Sequence, residues 1–91
     1  MNEVELNQSL LRPIVRLHAN TLEFFHANNG EQKSFHVRHI KSIEITADRK
    51  GKHKLVTTAG WGTFTEDVDD EVLADLKKLV AEVQQAMKAG S

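Results

Sequence analysis

Residues 67–88, DVDDEVLADLKKLVAEVQQAMK, decide how this chain is read. Val68, Val72, Leu76, Leu79, Val80, Val83 and Met87 recur at helical spacing and form one apolar stripe, which Leu73 widens. Asp69, Asp70, Asp75, Lys77, Lys78 and Glu82 fall mainly on the other side. The pattern predicts one amphipathic helix over 67–88. Thr65 or Asp67 is placed to cap it, Asp69, Asp70 and Glu71 suit its positive end, and Gly90 suits its stop. A helix this one-sided needs an apolar surface to lie on, and the residues before it supply one as a β-sheet.

The first sheet signal is the alternation of Val15 and Leu17 with Arg16 and His18, a period of two. Ala19-Asn20 suits a two-residue turn, which sets Leu17 opposite Leu22 and Val15 opposite Phe24. The next strand, 21–27, runs into Asn28-Asn29-Gly30-Glu31, and Asn-Gly is a strong hairpin signal because a type I′ turn needs two residues of positive φ. A turn at Asn29-Gly30 predicts Phe24 opposite Phe35 and Leu22 opposite Val37. Val15, Leu17, Leu22, Phe24, Phe35 and Val37 then share one face, as a half-buried sheet requires. The same register sets Arg16, Glu23 and His36 side by side on the other face, an arrangement worth a few tenths of a kcal/mol per pair.

Arg38-His39 marks a corner into a fourth strand, 40–47, with Ile43 and Ile45 inward. The turn Asp48-Arg49-Lys50-Gly51-Lys52 admits two loop lengths, and the three-residue form, which pairs Ile45 with Leu55, is preferred. Residues 55–59 form the fifth strand. Gly60-Trp61-Gly62 is a tight connection to a short sixth strand, 62–65, with Phe64 facing Thr57. Residues 1–13 are the least readable. Val4 and Leu6 suit an edge strand, Leu6, Leu10 and Leu11 a helical turn, and Pro13 closes the segment either way.

A run of antiparallel strands closed by one C-terminal helix resembles a pleckstrin-homology-like (PH-like) domain of the small bacterial type. The resemblance covers residues 14–87 and rests on Leu22-Glu23-Phe24, then Phe35-His36-Val37, then Ile40-Lys41-Ser42-Ile43-Glu44-Ile45. It implies an α+β domain over 1–91: a strongly bent antiparallel sheet or open barrel of about six or seven strands, capped by the helix. It further implies peptide binding beside the helix or along a strand edge, with Trp61 and the strand around Ile43 as contacts. Family members that bind phosphoinositides carry Lys and Arg around the loop joining their first two strands. If the first hairpin is the one at Ala19-Asn20, its loop is too short and has no basic residue. If a strand lies before Pro13, Arg12 and Arg16 flank the loop without reproducing a basic cluster, so headgroup binding is not implied.

Composition narrows the function classes. The chain has 91 residues, one small domain, and no cysteine, so disulfides, thiolate metal sites and cysteine nucleophiles are excluded. Nothing approaches the roughly 18 unbroken apolar residues of a membrane span. The N-terminus lacks a signal-peptide pattern, and a cytoplasmic protein is the expectation. Net charge is −1, yet 33–54 carries seven Lys/Arg against Glu44 and Asp48, while 65–91 carries seven acids against three lysines. Overall charge gives no strong electrostatic case for nucleic acid.

Two candidate binding features stand out. Arg49, Lys50, Lys52 and Lys54 cluster on a hairpin tip, where they can grip phosphates or serve as a solvated turn that protects a sheet end. Trp61, between two glycines, is either an exposed anchor or a side chain folded back over the sheet end. His18, His26, His36, His39 and His53 lack converging metal-ligand spacing. No Gly-rich phosphate loop or nucleophile elbow is present, and Glu23 with His36 reads as a surface pair rather than an acid–base couple. The expectation is a non-enzymatic interaction module without metal, cofactor or small-molecule substrate, which binds a protein partner or itself. The alternative is binding of nucleic acid or another acidic surface through the 49–54 tip.

Overall fold

The computed structural model describes residues 2–10, 12–26 and 32–89. Seven antiparallel strands form two sheets, followed by one helix. The first sheet contains β1 (Asn2–Glu5), β2 (Pro13–His18), β3 (Thr21–His26) and β4 (Gln32–His36) in that order. The second contains β5 (Ile40–Ala47), β6 (His53–Ala59) and β7 (Gly62–Val68), with β6 central. The helix α1 runs Leu73–Ala89. No ladder among the described residues joins the sheets into a closed barrel.

The Ala19-Asn20 turn produces the expected pairs Leu17–Leu22 and Val15–Phe24, and Ala19 takes the positive φ, 54°. The N-terminal segment is a strand, with Val4 opposite Val15 and Leu6 buried just beyond it. Arg12, ahead of Pro13, adopts a left-handed φ of 48° while its guanidinium pairs with Glu5 at 3.0 Å. The β3–β4 register differs from expectation by two residues: Leu22 faces Phe35 and Phe24 faces Lys33. The expected turn at Asn29-Gly30 lies outside the described residues. A slip of two keeps every side chain on its face, so alternation alone does not distinguish the two registers.

A 3-10 turn at Val37–His39 carries the chain from one sheet to the other. The Val37 amide donates to the Asn20 carbonyl at 2.8 Å, and the Gly60 amide donates to the His39 carbonyl at 3.3 Å. The corner is thereby tied to a turn of each sheet. Ile40 and Ile43 are both buried although a regular strand would send them to opposite faces. The register shifts between Ile40 and Ser42, a β-bulge that returns Ile43 to the core side. The three-residue loop after Asp48 is as expected, with Ile45 opposite Leu55 and Gly51 at a φ of 79°. Phe64 faces Thr57 as expected.

The helix begins later than the periodicity predicts. Asp67 and Val68 complete β7, with Val68 opposite His53 and buried, and a 3-10 turn at Asp70–Val72 precedes Leu73. Asp69 occupies the cap position of that turn without a side-chain cap bond, so neither Thr65 nor Asp67 caps a helix. Gly90 lies outside the described residues. Leu76, Leu79, Val80 and Val83 are buried among Val4, Leu6, Val15, Leu22, Phe35, Val37, Ile40, Ile43 and Leu55. The Asp69 amide donates to the Leu6 carbonyl at 2.8 Å, which fastens the end of the second sheet to the start of the first.

Two core substitutions have opposite signs. Leu76→Ala removes a fully buried side chain of the shared core and lowers stability by about 2–5 kcal/mol in urea denaturation. The Thr57 hydroxyl is buried with no hydrogen-bond partner. Thr57→Val keeps the branched shape, removes that unpaired group and raises stability by about 1 kcal/mol in the same assay.

Candidate functional site

The two binding features expected from the sequence do not come together. The 49–54 tip runs into the start of β6 and Trp61 follows its end, so most of a seven-residue strand of roughly 20 Å separates them. Their surroundings differ in charge.

At the tip, Asp48 organises the backbone. Its Oδ1 accepts from the Lys50 and Lys52 amides, both at 2.9 Å, and the Gly51 amide donates to its carbonyl at 3.0 Å. The hydrogen bond from the Lys52 amide is the main reason the Asp48 carboxyl lies below its ordinary value. Acidic residues of the helix-proximal segment lie against the same end. Lys52 Nζ is 3.4 Å from Asp67 Oδ2, His53 Nδ1 is 2.9 Å from Asp70 Oδ1, and Lys54 stands opposite Asp67 in the ladder. A shallow depression of about 390 Å³ here is lined by Lys52 together with Glu66, Asp67 and Asp69. Arg49 and Lys50 remain exposed, but the neighbouring carboxylates offset the field that a phosphate would feel.

Trp61 is both packed and exposed. Its indole stacks on Phe35, with ring centres 5.5 Å apart and planes 26° apart, yet 60% of the residue is exposed. His39 lies 5.8 Å from the indole on another side. Phe35 also meets Phe64 at 5.1 Å and Phe24 at 6.0 Å, and Lys33 Nζ sits 4.8 Å above the Phe64 ring. Sequence reading found Trp61 from its position between glycines. It missed Phe35 and His39 as its ring neighbours because a contact between elements far apart in the chain leaves no local pattern.

The third feature is a groove of about 610 Å³ between β5 and α1, lined by Lys41, Ile43, Glu44, Gln84, Met87 and Lys88. β5 is an edge strand of its sheet. Gln84 Nε2 donates to the Ile43 carbonyl at 3.1 Å, so this carbonyl points away from β6. In an antiparallel edge strand the N–H and C=O of one residue face the same way and alternate along the chain. Ile43 and Ile45 therefore turn backbone groups outward towards the groove. Gln84 has no sequence signal beyond its place beside the apolar stripe.

The expected trio of Arg16, Glu23 and His36 is corrected. Arg16 bonds Glu23 at 3.0 Å, but the two-residue slip puts Gln32 on Glu23 at 2.7 Å and moves His36 opposite Thr21. The His36 ring instead accepts the Arg38 amide through Nδ1 at 3.1 Å, capping the corner. Among the described residues no group of three His, Asp or Glu side chains is placed to hold a metal ion, and no helix is long and apolar enough to cross a membrane. Comparison of the chain with protein-family models, curated proteins and solved structures gives no match.

The Asp48 network carries a pH dependence whose sign is fixed. A carboxyl depressed in the folded state contributes fully above its unfolded pKa, and that contribution is lost as pH falls through the lower folded value. The protection of the Lys50, Gly51 and Lys52 amides, measured against their intrinsic exchange rates at each pH, should therefore fall on acidification below the ordinary carboxylate range. Asp48→Asn should flatten this response while α1 amides keep theirs.

Proposed function

We propose that the chain is a non-enzymatic interaction module of the PH-like kind, its two sheets an opened barrel with α1 across one end. It takes an extended segment of a protein, from another molecule or a second copy of itself, along the β5 edge beside α1. The supporting observation is the coincidence of an edge strand with outward backbone groups and a groove whose far wall is a helix. Main-chain bonds to an added strand supply affinity, and side chains entering the groove supply specificity. The Ile43 and Met87 floor favours an apolar side chain, and Lys41, Glu44 and Lys88 give the rim a mixed charge.

The tip reading is the less favoured one, because Lys52 and His53 already face carboxylates. The resemblance to PH-like domains, carried by residues 22–24, 35–37 and 40–45, points to the same groove.

The test combines native mass at two protein concentrations, at low and high salt, with selection of binders from a random peptide library. The reading expects a salt-resistant complex, either a concentration-dependent oligomer or a peptide complex, because apolar contacts and strand pairing are weakly screened. Gln84→Trp, which fills the groove, should abolish it with the circular dichroism spectrum unchanged. A strict monomer that retains no peptide, or binding indifferent to Gln84→Trp, overturns the proposal.

A further inference from the structure

The Trp61 end differs in composition from the rest of the surface. The segments that build it, 32–43 and 54–65, contain no Asp or Glu. They do contain Lys33, Arg38, Lys41 and Lys54, with His36 and His39. Lys41 lines the β5–α1 groove and Lys54 stands opposite Asp67 at the tip end. That leaves Lys33 and Arg38 on the elements that carry Phe35 and His39, the ring neighbours of the exposed indole. Asp67 and Asp70 sit at the other end of β6, where they meet Lys52 and His53, and Glu23 of β3 is held by Arg16 and Gln32. Among the described residues, the basic hairpin tip thus faces carboxylates that the Trp61 end does not.

We propose that this end is a binding platform for single-stranded nucleic acid. Such strands are held by two kinds of contact together: aromatic rings on which bases stack, and cations that track the phosphates. Both are present in one place. Phe35 is 3% exposed and supports one side of Trp61 from below, which fixes the indole without covering it. A ring already immobilised loses little side-chain freedom when a base stacks on it. Lys33 is held over Phe64, which in turn touches Phe35, and Arg38 projects from the corner next to His39, the other neighbour of Trp61. Lys33 on β4 and Arg38 on the 3-10 corner thus belong to the two elements whose Phe35 and His39 meet the indole. Charge attraction alone would suit any acidic polymer. The exposed π face is what selects a strand with bases.

This surface is separate from the β5–α1 groove, and variants of Gln84 leave it intact. It also gives recognition a different address from the 49–54 tip, so the two sites can be told apart.

Trp61 is the sole tryptophan and the chain has no tyrosine, so its fluorescence reports directly on stacking. The experiment titrates the full chain with a short oligothymidylate and, separately, with polyglutamate, at low salt and at tenfold higher salt. The proposal expects the oligonucleotide to quench Trp61. It also expects binding to weaken about 25-fold across the tenfold salt change, the response for about two neutralised phosphates on a single strand. Polyglutamate should bind weakly and leave the emission unchanged.

With a labelled oligonucleotide, Trp61→Ala should weaken binding about fivefold or more. Lys33→Ala with Arg38→Ala should weaken it and flatten the salt dependence, and Arg49→Ala with Lys50→Ala should have no effect. All of these positions except the Trp61 face resting on Phe35 are solvent-facing, and Trp61→Phe, which keeps a ring on Phe35, should retain most binding. No oligonucleotide binding at low salt overturns the proposal. So does binding that follows the tip variants, or polyglutamate binding as tight as that of the oligonucleotide.

Discussion

The apolar stripe of α1 is the contact on which the two sheets depend. Each sheet has one oily face, and neither is closed by its own hydrogen bonds. Leu76, Leu79, Val80 and Val83 fill the space between Val4 and Leu6 on one side and Ile40 and Ile43 on the other. Without that stripe the inner faces of β1 and β5 would meet water. The helix is therefore a structural wedge, and its position fixes how far the sheets stand apart. The late helix start follows from the same geometry. Val68 is needed as the last core residue of β7, and the Asp69 bond to Leu6 must be made before the chain can turn into the helix.

Charge is organised by strand direction. β6 is central, and the turns at its two ends carry the two features that the sequence singled out. Antiparallel pairing brings the end of β7, with Asp67 and Val68, back beside the start of β6. The acids that precede α1 are thus delivered to the basic tip. In the β6–β7 ladder no acid reaches the other end, because the residues paired there are Thr58 with Thr63 and Ala59 with Gly62. A sequence net charge near zero conceals this, since what matters for a charged ligand is which charges share an end of the molecule.

Turn chemistry made most of the fold legible. The turns at Ala19-Asn20, Asp48–Lys52 and Gly60-Trp61 each fix a register through a few local residues, and all three hairpins pair as their sequences indicate. Two errors have physical causes. The β3–β4 slip of two preserves facing, so no hydrophobic pattern opposes it. Val68 fits both a helical stripe with Val72 and a strand alternation with Phe64 and Glu66. Three acids nearby imitate a helix N-terminus, whereas in the fold Asp67 and Asp70 pair with Lys52 and His53. The candidate surfaces were legible only as single residues. Trp61 and Ile43 are visible in sequence, but Phe35 beneath the indole and Gln84 across from the carbonyl come from elements far apart in the chain.

The corner at Val37–His39 links the two surfaces mechanically. His39 packs against Trp61, and its carbonyl accepts the Gly60 amide of the Trp61 turn. The next residue, Ile40, opens β5, and the bulge that follows sets which backbone groups of β5 face the α1 groove. The corner is rigid because its bonds run in three directions: to Asn20 in the first sheet, to Gly60 in the second, and to the His36 ring within itself. A corner this constrained cannot rotate to suit a ligand at one surface without displacing the other. The β5 edge and the Trp61 turn are thus joined through one hydrogen-bonded corner.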